Sequence, residues 1–198
     1  MSRITVVFGT TDGQTAKVAR FVADLLGGEG DEVALIDTRA PLPAAPLEGA
    51  QGAVLLASVR MGKFQRPLIA FVREHRDELA RLPTLFLPVS LSASRPTEAA
   101  KREVRKTIAR FIDQTGFGPG AIHPVAGALL YSRYGFFTRL AMILISRMAG
   151  GDTDTSRDYQ YTDWSAVAEA TRRFAARVRE HPLSPDPAPG AWRADAAL

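Results

Sequence analysis

Residues 4–26 read ITVVFGTTDGQTAKVARFVADLL, and they outline a strand, a turn and a helix. The first five of these residues are apolar or β-branched, which is typical of a buried strand. After the turn, apolar side chains recur at helical spacing until Gly27-Gly28 ends the pattern; they are Val18, Phe21, Val22, Leu25 and Leu26. A strand that leads through a short turn into an amphipathic helix predicts an α/β protein.

The turn between these two elements has the composition of an anion-binding site. Short hydroxyl or amide side chains occupy Thr10, Thr11, Gln14 and Thr15, and Gly13 permits close approach to the backbone. The amides at the start of the following helix favour a phosphate group. This combination suits a monophosphate bound without a metal ion, and the turn matches neither GxxxxGK[ST] nor GxGxxG. An ordinary strand-to-helix turn capped by a hydroxyl is the alternative.

Strands and helices alternate along the rest of the chain. The predicted strands are Glu32–Ile36, Ala53–Ala57, Thr84–Val89, Pro124–Leu129 and a short one at Tyr159–Tyr161. The predicted helices are Pro67–Leu79, Pro96–Thr115 and Trp164–Arg179, the last capped by Asp163. The sequence thus predicts one domain over residues 1–180, with a doubly wound five-stranded parallel sheet in the order 2-1-3-4-5. We expect a helical insertion at 130–158 and a disordered tail at 181–198.

The predicted sheet order also indicates where a ligand binds. Ligands of doubly wound sheets lie beyond the carboxyl ends of the strands, where the strand order reverses. The phosphate-type turn lies there, together with loops Ser58–Gly62 and Ser90–Arg95. One hydroxyl-rich turn and two loops around a flat ring suit flavin mononucleotide (FMN). Because a flavin carries its own redox chemistry, no catalytic side chain is assigned, and His75 and His123 are expected to pack or lie at the surface.

Composition and charge restrict the class of partner. The chain has 198 residues and a net charge of +4. It contains no cysteine, so thiol catalysis and disulfides are excluded. Residues 1–20 lack the apolar segment of a secretory signal, and we therefore expect a cytoplasmic protein. Residues 90–150 hold nine Lys or Arg and three acidic residues, which favours an anionic substrate or membrane surface. Nucleic acid is disfavoured because the basic helix Lys101–Arg110 has no aromatic stacking platform.

The predicted insertion contains the apolar segment Phe136–Met148, FFTRLAMILISRM. It is shorter than the roughly 20 apolar residues that a spanning helix needs. As a helix, it gathers its polar residues on a narrow face and leaves a broad apolar surface. Two interpretations stay open: the segment binds the membrane interface, or it covers the sheet or a second subunit of a homodimer.

Five groups of residues in this sequence resemble the flavodoxin-type protoporphyrinogen oxidases, also described as menaquinone-dependent protoporphyrinogen dehydrogenases. The groups are Thr10 with Asp12–Thr15; Ala57-Ser58 with Arg60 and Gly62; Gly127-Ala128-Leu129 with Tyr131, Arg133 and Tyr134; Gly150-Gly151 with Thr153–Thr155; and Tyr161–Trp164. The resemblance spans roughly Ile4 to Phe174. It implies a flavodoxin-like fold and FMN-dependent oxidation of protoporphyrinogen IX to protoporphyrin IX for haem synthesis. The electrons would pass to a membrane quinone, either menaquinone or ubiquinone.

The same resemblance implies the site residues and the location. The FMN contacts would be Thr10, Thr11, Asp12, Gly13, Gln14, Thr15, Ser58, Val59, Arg60, Met61, Gly62, Ser90, Leu91, Ser92, Ala93, Asp154 and Thr155. Substrate carboxylates and the macrocycle call for guanidinium groups and aromatic walls, which we expect from Arg60, Tyr131, Arg133 and Tyr134. The protein would attach peripherally to the cytoplasmic face of the cell membrane. An electron-carrier flavodoxin and an FMN-dependent NAD(P)H quinone reductase remain the alternatives.

Overall fold

The computed structural model describes residues 1–129 and 159–180, and a parallel sheet forms its centre. The strands are β1 (Arg3–Gly9), β2 (Glu32–Asp37), β3 (Gly52–Ser58), β4 (Thr84–Ser90), β5 (Ala121–Ile122) and β6 (Val125–Ala126). The sheet order is β2-β1-β3-β4-β5, and β6 also pairs with β4. All of these pairs are parallel, which confirms the predicted order 2-1-3-4-5.

Helices lie on both faces of this sheet. Within the described residues the α-helices are α1 (Gln14–Gly28), α2 (Arg66–Glu74), α3 (Arg76–Leu79), α4 (Glu98–Thr115) and α5 (Trp164–Glu180). A short 3-10 helix, Ser92–Ser94, follows β4. The α5 helix begins as predicted, because Asp163 Oδ1 accepts a hydrogen bond from the Ala166 amide at 3.0 Å.

The alternation of side chains along the strands creates two cores. Val6 of β1 packs in one cluster with residues of α1 and α5, while its neighbour Val7 packs in a second cluster with residues of α2 and α4. In the second cluster, Phe86 stacks on Phe111 of α4 with ring centroids 4.1 Å apart. Successive side chains of a strand point to opposite faces, so continuously apolar strands are buried on both sides. The burial patterns of β1, β3 and β4 show this two-sided burial.

The predicted helix Pro67–Leu79 is wrong as a single element. The first helix ends at Glu74, because His75 adopts φ −100° and ψ 18° and the chain bends there before α3. The His75 ring packs against Phe71 at 4.6 Å, and its Nδ1 lies 2.8 Å from the Glu78 carboxylate. This arrangement leaves Leu79 fully buried in the second cluster.

The predicted fifth strand, Pro124–Leu129, is also divided. Within these bounds only Val125–Ala126, β6, joins the main sheet. The strand β5 precedes the predicted bounds, and Pro124, between β5 and β6, has no amide proton to continue a ladder. The following strand, β7 (Ala128–Leu129), leaves the main sheet and pairs antiparallel with β8 (Tyr159–Gln160). The predicted insertion, residues 130–158, and the predicted tail, 181–198, lie outside the described residues.

The helix predicted to begin at Pro96 begins two residues later. Thr97 is its N-cap, with an extended backbone and a side-chain oxygen that accepts from the Ala100 amide at 3.3 Å. Asn, Asp, Ser and Thr are favoured at this position because their oxygens satisfy amides that lack a partner in the first helical turn. The side chain of Thr97 thus determines where α4 starts.

Candidate functional site

A cavity of about 430 Å³ opens at the carboxyl ends of β1, β3 and β4. Its lining residues are Thr10, Asp12, Gln14, Thr15, Ser58, Val59, Arg60, Met61, Gly62, Val89, Ser90, Leu91, Ser92, Glu103, Thr107, Gly127 and Ala128. The structure therefore brings together the three loops that the sequence analysis selected. It does so because β1, β3 and β4 are adjacent and parallel, so that their carboxyl ends lie at one edge of the sheet.

The first loop turns sharply at Gly13, whose φ of +92° is favourable for glycine alone. The Thr10 hydroxyl accepts a hydrogen bond from the Gly13 amide at 3.0 Å and is itself buried. In the described residues, α1 has no side-chain cap and no acidic residue in its first turn. The hydroxyl thus shapes the turn without capping the helix, and the positive end of the helix dipole remains suited to an anion.

Gln14 links the first loop to the far side of the cavity. Its Nε2 donates to Thr162 Oγ1 at 3.0 Å, and Thr162 Oγ1 donates to the Ala126 carbonyl at 2.7 Å. Because the threonine has one hydroxyl proton, the second bond requires Gln14 to present its amide nitrogen to Thr162. The Gln14 Oε1 atom is then buried with no hydrogen-bond partner in the described part of the chain. It is an acceptor that a ligand hydroxyl or N–H group would satisfy.

The second loop forms a two-residue turn at the rim of the cavity. Arg60 and Lys63 exchange two backbone hydrogen bonds, 3.0 and 2.9 Å long, around Met61 and Gly62. Both central residues have positive φ, 50° and 69°, as a type I′ turn requires. This conformation is strained for methionine, whose side chain is 92% exposed. The Arg110 guanidinium donates to the Gly62 carbonyl and holds the turn in place.

Arg60, which the sequence analysis expects to contact FMN and the substrate, already has an anionic neighbour in the cavity. Its Nη1 lies 3.6 Å from Asp12 Oδ1. The Asp12 carboxylate therefore partly balances the charge that was expected to bind a substrate propionate. This geometry favours a role for Arg60 in positioning the first and second loops relative to each other.

The remaining predicted contacts divide into those at the cavity and those beside it. Ser90, Leu91 and Ser92 of the third loop line the cavity, whereas Ala93 does not; its amide donates to Ser90 Oγ at 3.3 Å. Thr11 is exposed and accepts a hydrogen bond from Gln65 at 3.0 Å. Gly13 shapes the first loop without lining the cavity. Outside the described residues lie Tyr131, Arg133, Tyr134, Phe136–Met148, Asp154 and Thr155.

Five lining residues were not selected from the sequence: Val89, Glu103, Thr107, Gly127 and Ala128. Glu103 and Thr107 are one turn apart on α4, and helical packing alone brings them to the cavity. Gly127 and Ala128 belonged to a motif of the resemblance but had no assigned role. At Gly127 a Cβ atom would lie 3.3 Å from the Ser90 carbonyl carbon, so glycine permits close contact with the third loop.

The two histidines in the described part of the chain, His75 and His123, do not line the cavity. Burial and, secondarily, the charge of Arg173 lower the pKa of His123, against smaller opposing effects of Asp163 and Glu169. Across residues 1–129 and 159–180, no cluster of three or more His, Asp or Glu side chains is placed to hold a metal ion. No helix in those ranges combines the length and apolar character needed to cross a membrane.

Comparisons with known proteins agree with this architecture. A family model described as a flavodoxin domain matches residues 5–156. A protoporphyrinogen IX dehydrogenase (quinone) from Leishmania major is 33% identical over 190 residues, covering 94% of this chain and 78% of the relative. A protein of the same name from Escherichia coli strain K12 is 31% identical over 170 residues, 86% of this chain and 93% of the relative.

A solved structure shows the same fold at low sequence identity. It is a short-chain flavodoxin associated with a non-canonical PDU bacterial microcompartment, and it superposes with a TM-score of 0.57 at 13% identity. The superposition covers 90% of this chain and 99% of the flavodoxin. The chain thus has a flavodoxin-like fold, and the cavity lies at the carboxyl edge of its sheet.

Proposed function

This chain belongs to the flavodoxin-domain family and to the quinone-linked protoporphyrinogen IX dehydrogenases, and on that premise we propose that it oxidises protoporphyrinogen IX to protoporphyrin IX. The electrons leave in successive two-electron steps and pass to a quinone. The observation that carries the proposal is the 31% identity to the Escherichia coli enzyme across 93% of that enzyme's length. A cavity at the position of a flavin site supports it.

The flavin that we propose for this cavity is FMN. A volume of about 430 Å³ lies within the usual range for cofactor pockets, roughly 300–1,000 Å³. The buried hydroxyls of Thr10 and Thr15 and the uncapped start of α1 suit a terminal phosphate. The unpartnered Oε1 of Gln14 suits a hydroxyl of a sugar-like chain. FMN has one phosphate, one polyhydroxyl chain and one flat ring. These parts would use the start of α1, the Gln14 acceptor and the volume of the cavity, in that order.

Bound FMN would supply the two-electron chemistry, and the residues of the chain would bind and orient the reactants. Thr10 and Thr15 would hold the phosphate end. The loops Ser58–Gly62 and Ser90–Ser92 would flank the ring, and the exposed Met61 would face the incoming substrate. Buried Val89 and the close contact of Gly127 with Ser90 would exclude water behind the ring. In this proposal, binding geometry and not a side-chain acid or base sets the reaction.

The first experiment tests the cofactor. Purified protein should be yellow and should release FMN on acid treatment, as identified by chromatography. A Thr15→Val variant should lose much of its FMN, because it keeps the buried volume and removes the hydroxyl. Thr171→Val, which also removes a buried helix hydroxyl but lies on α5 outside the cavity, is the matched control and should keep its FMN. Colourless protein that takes up no added FMN would refute every flavin-dependent function.

The second experiment tests the reaction. Under anaerobic conditions, FMN-loaded protein with protoporphyrinogen IX and a menaquinone analogue should produce porphyrin fluorescence faster than the uncatalysed oxidation. Ubiquinone in a parallel reaction would determine which quinone is preferred. No increase in fluorescence, combined with rapid electron exchange with redox proteins, would indicate an electron carrier. Quinone reduction with NAD(P)H and without porphyrinogen would indicate a quinone reductase.

We also propose that the protein binds the cytoplasmic face of the membrane peripherally through Phe136–Met148. The support comes from the sequence, since this segment is outside the described residues. Vesicles containing anionic lipid should carry the protein upward in a flotation gradient, and a variant with serine at Phe136, Phe137 and Leu140 should remain below. If both proteins float equally, the segment does not bind lipid; sedimentation analysis would then test the alternative homodimer.

A further inference from the structure

A second recess, of about 680 Å³, borders the flavin cavity at Met61. It lies between the Met61-Gly62 turn, α2 and α4. Its lining residues are Met61, Lys63, Phe64, Arg66, Ile69, Arg73, Arg110 and Gln114. Four of the eight are cations and none is acidic. Glu103 lines the first cavity and not this recess, but its Oε1 atom and Arg110 Nη1 both lie near Gly62, 3.7 Å and 2.9 Å from the position that a Cβ atom would have there.

The cations of the recess have no anionic partners in the described residues. None of the four lies within 4.0 Å of a carboxylate oxygen there. Elsewhere in the structure, by contrast, Arg39 pairs with Asp37 and Arg179 pairs with Asp31. Four like charges around one recess repel one another, and an anionic ligand would relieve that repulsion.

Two of the guanidinium groups are held in position by backbone carbonyls. Arg73 Nε donates to the Gln114 carbonyl at 2.6 Å, and Arg110 Nη1 donates to the Gly62 carbonyl. Each arginine has five N–H donors, so most of them remain available for a ligand. A guanidinium that is already oriented loses less entropy when it binds a carboxylate, and arginine is well suited to do so through two parallel hydrogen bonds.

The walls of the recess suit an anion attached to an apolar body. Phe64 is 9% exposed, and Ile69 and the Met61 side chain complete an apolar surface beside the cations. Met61 lines both cavities. A ligand with carboxylates in the recess would therefore place its apolar part over the turn, towards the flavin cavity. A lipid headgroup would also pair with the cations of the recess, but it would not explain why Met61 connects the recess to the flavin cavity.

We infer that this recess binds the two propionate carboxylates of the tetrapyrrole substrate. The inference rests on the proposed function and extends it. Arg73 and Arg110 bind the carboxylates from fixed positions, while Lys63 and Arg66 add charge at the edge. Arg60, one of the two arginines that the sequence analysis assigned to this role, has Asp12 as its neighbour at 3.6 Å and is a weaker candidate than Arg73 and Arg110.

The test measures binding in the absence of turnover. FMN-loaded, oxidised protein is titrated with protoporphyrin IX and with its dimethyl ester in neutral detergent, and porphyrin fluorescence anisotropy gives the two Kd values. The wild type should bind the dicarboxylate at least about 10-fold more tightly than the ester, since hydrogen bonds to charged groups are the stronger ones. The double variant Arg66→Gln/Arg73→Gln should lose this preference and retain its ester affinity. The control Arg102→Gln/Lys106→Gln removes two exposed charges of α4 outside the recess and should behave as the wild type.

Each outcome separates the recess from the proposed function. If the wild type forms porphyrin but binds the dicarboxylate and the ester equally, the inference about the recess is wrong and the proposed function stands. Absence of porphyrin formation, with the acid preference present and lost in the recess variant, would refute the function alone. If the recess variant keeps its porphyrin affinities but no longer floats with phosphatidylglycerol vesicles, the recess binds lipid headgroups and the inference is wrong. FMN content and the thermal midpoint, measured for every variant, show that each is folded.

Discussion

Replacement of Gln14 by methionine separates the structural role of this side chain from its role in flavin binding. Methionine has a similar length and no polar atoms of comparable strength. In the protein without flavin, the change removes the hydrogen bond to Thr162, which contributes about 0.5–1.5 kcal/mol. It also removes the buried, unpartnered Oε1, whose desolvation costs about 1–3 kcal/mol. Because these contributions oppose each other, the free energy of unfolding of the flavin-free protein should fall by no more than about 0.5 kcal/mol and rise by no more than about 2.5 kcal/mol.

The effect on flavin affinity should be larger. In the wild type, a donor from the ligand would satisfy Gln14 Oε1 on binding, and the penalty of about 1–3 kcal/mol would disappear. The variant has no such gain, so its Kd for FMN should rise roughly 5- to 150-fold. Urea unfolding of the flavin-free protein gives the first quantity, and quenching of FMN fluorescence during titration gives the second.

Thr162→Val is the matched control. It breaks the same hydrogen bond but keeps the Gln14 acceptor, and it leaves the Gln14 amide nitrogen and the Ala126 carbonyl without their partner. It should therefore destabilise the flavin-free protein by about 1–3 kcal/mol and weaken FMN binding less than Gln14→Met does. A Gln14→Met protein with unchanged FMN affinity and a stability loss of several kcal/mol would refute the reasoning. Gln14 would then serve only to join α1 to β6.

Three further predictions concern stability. Gly52→Ala should lower the free energy of unfolding by about 1–3 kcal/mol, because the new Cβ would lie 2.6 Å from Cγ2 of the buried Val178 and would push α5 from the sheet. An unchanged thermal midpoint would contradict this contact. Met61→Asn should raise the free energy of unfolding in urea by about 1 kcal/mol, since asparagine tolerates positive φ; no gain would show that the turn is unstrained. Burial and, secondarily, Arg173 hold the pKa of His123 below its ordinary value of 6.5, so the unfolded chain takes up this proton first as the pH falls. The contribution of His123 to the free energy of unfolding is therefore complete above pH 6.5, and it is lost as the pH falls towards the lower pKa of the folded state. A His123→Gln variant should lose part of this pH dependence in urea unfolding, and an identical slope would place the cause elsewhere.

The main elements of the fold follow from local patterns in the chain. Residues Ile4–Phe8 are all apolar or β-branched and are buried on both faces, as a central parallel strand requires. The sequence predicts a close turn at Gly13, and this residue adopts the left-handed conformation that glycine accepts at little cost. Such features depend on neighbours a few residues apart in the chain, and for this reason the amino-acid sequence is sufficient to identify the three loops at the sheet edge.

Other features arise only when distant segments meet. The sequence pattern predicts one strand from Pro124 to Leu129, but only Val125–Ala126 of it pairs with β4, and β5 pairs with β4 before the proline, which cannot donate to the ladder. Glu103 reaches the cavity at the sheet edge because α4 packs across the sheet. The cationic recess joins Lys63 to Arg110, which are remote in sequence and are brought together by the turn, α2 and α4. Local periodicity therefore predicted the four long strands β1 to β4 and the three loops at the sheet edge, whereas tertiary packing determined which side chains from other elements complete the cavity.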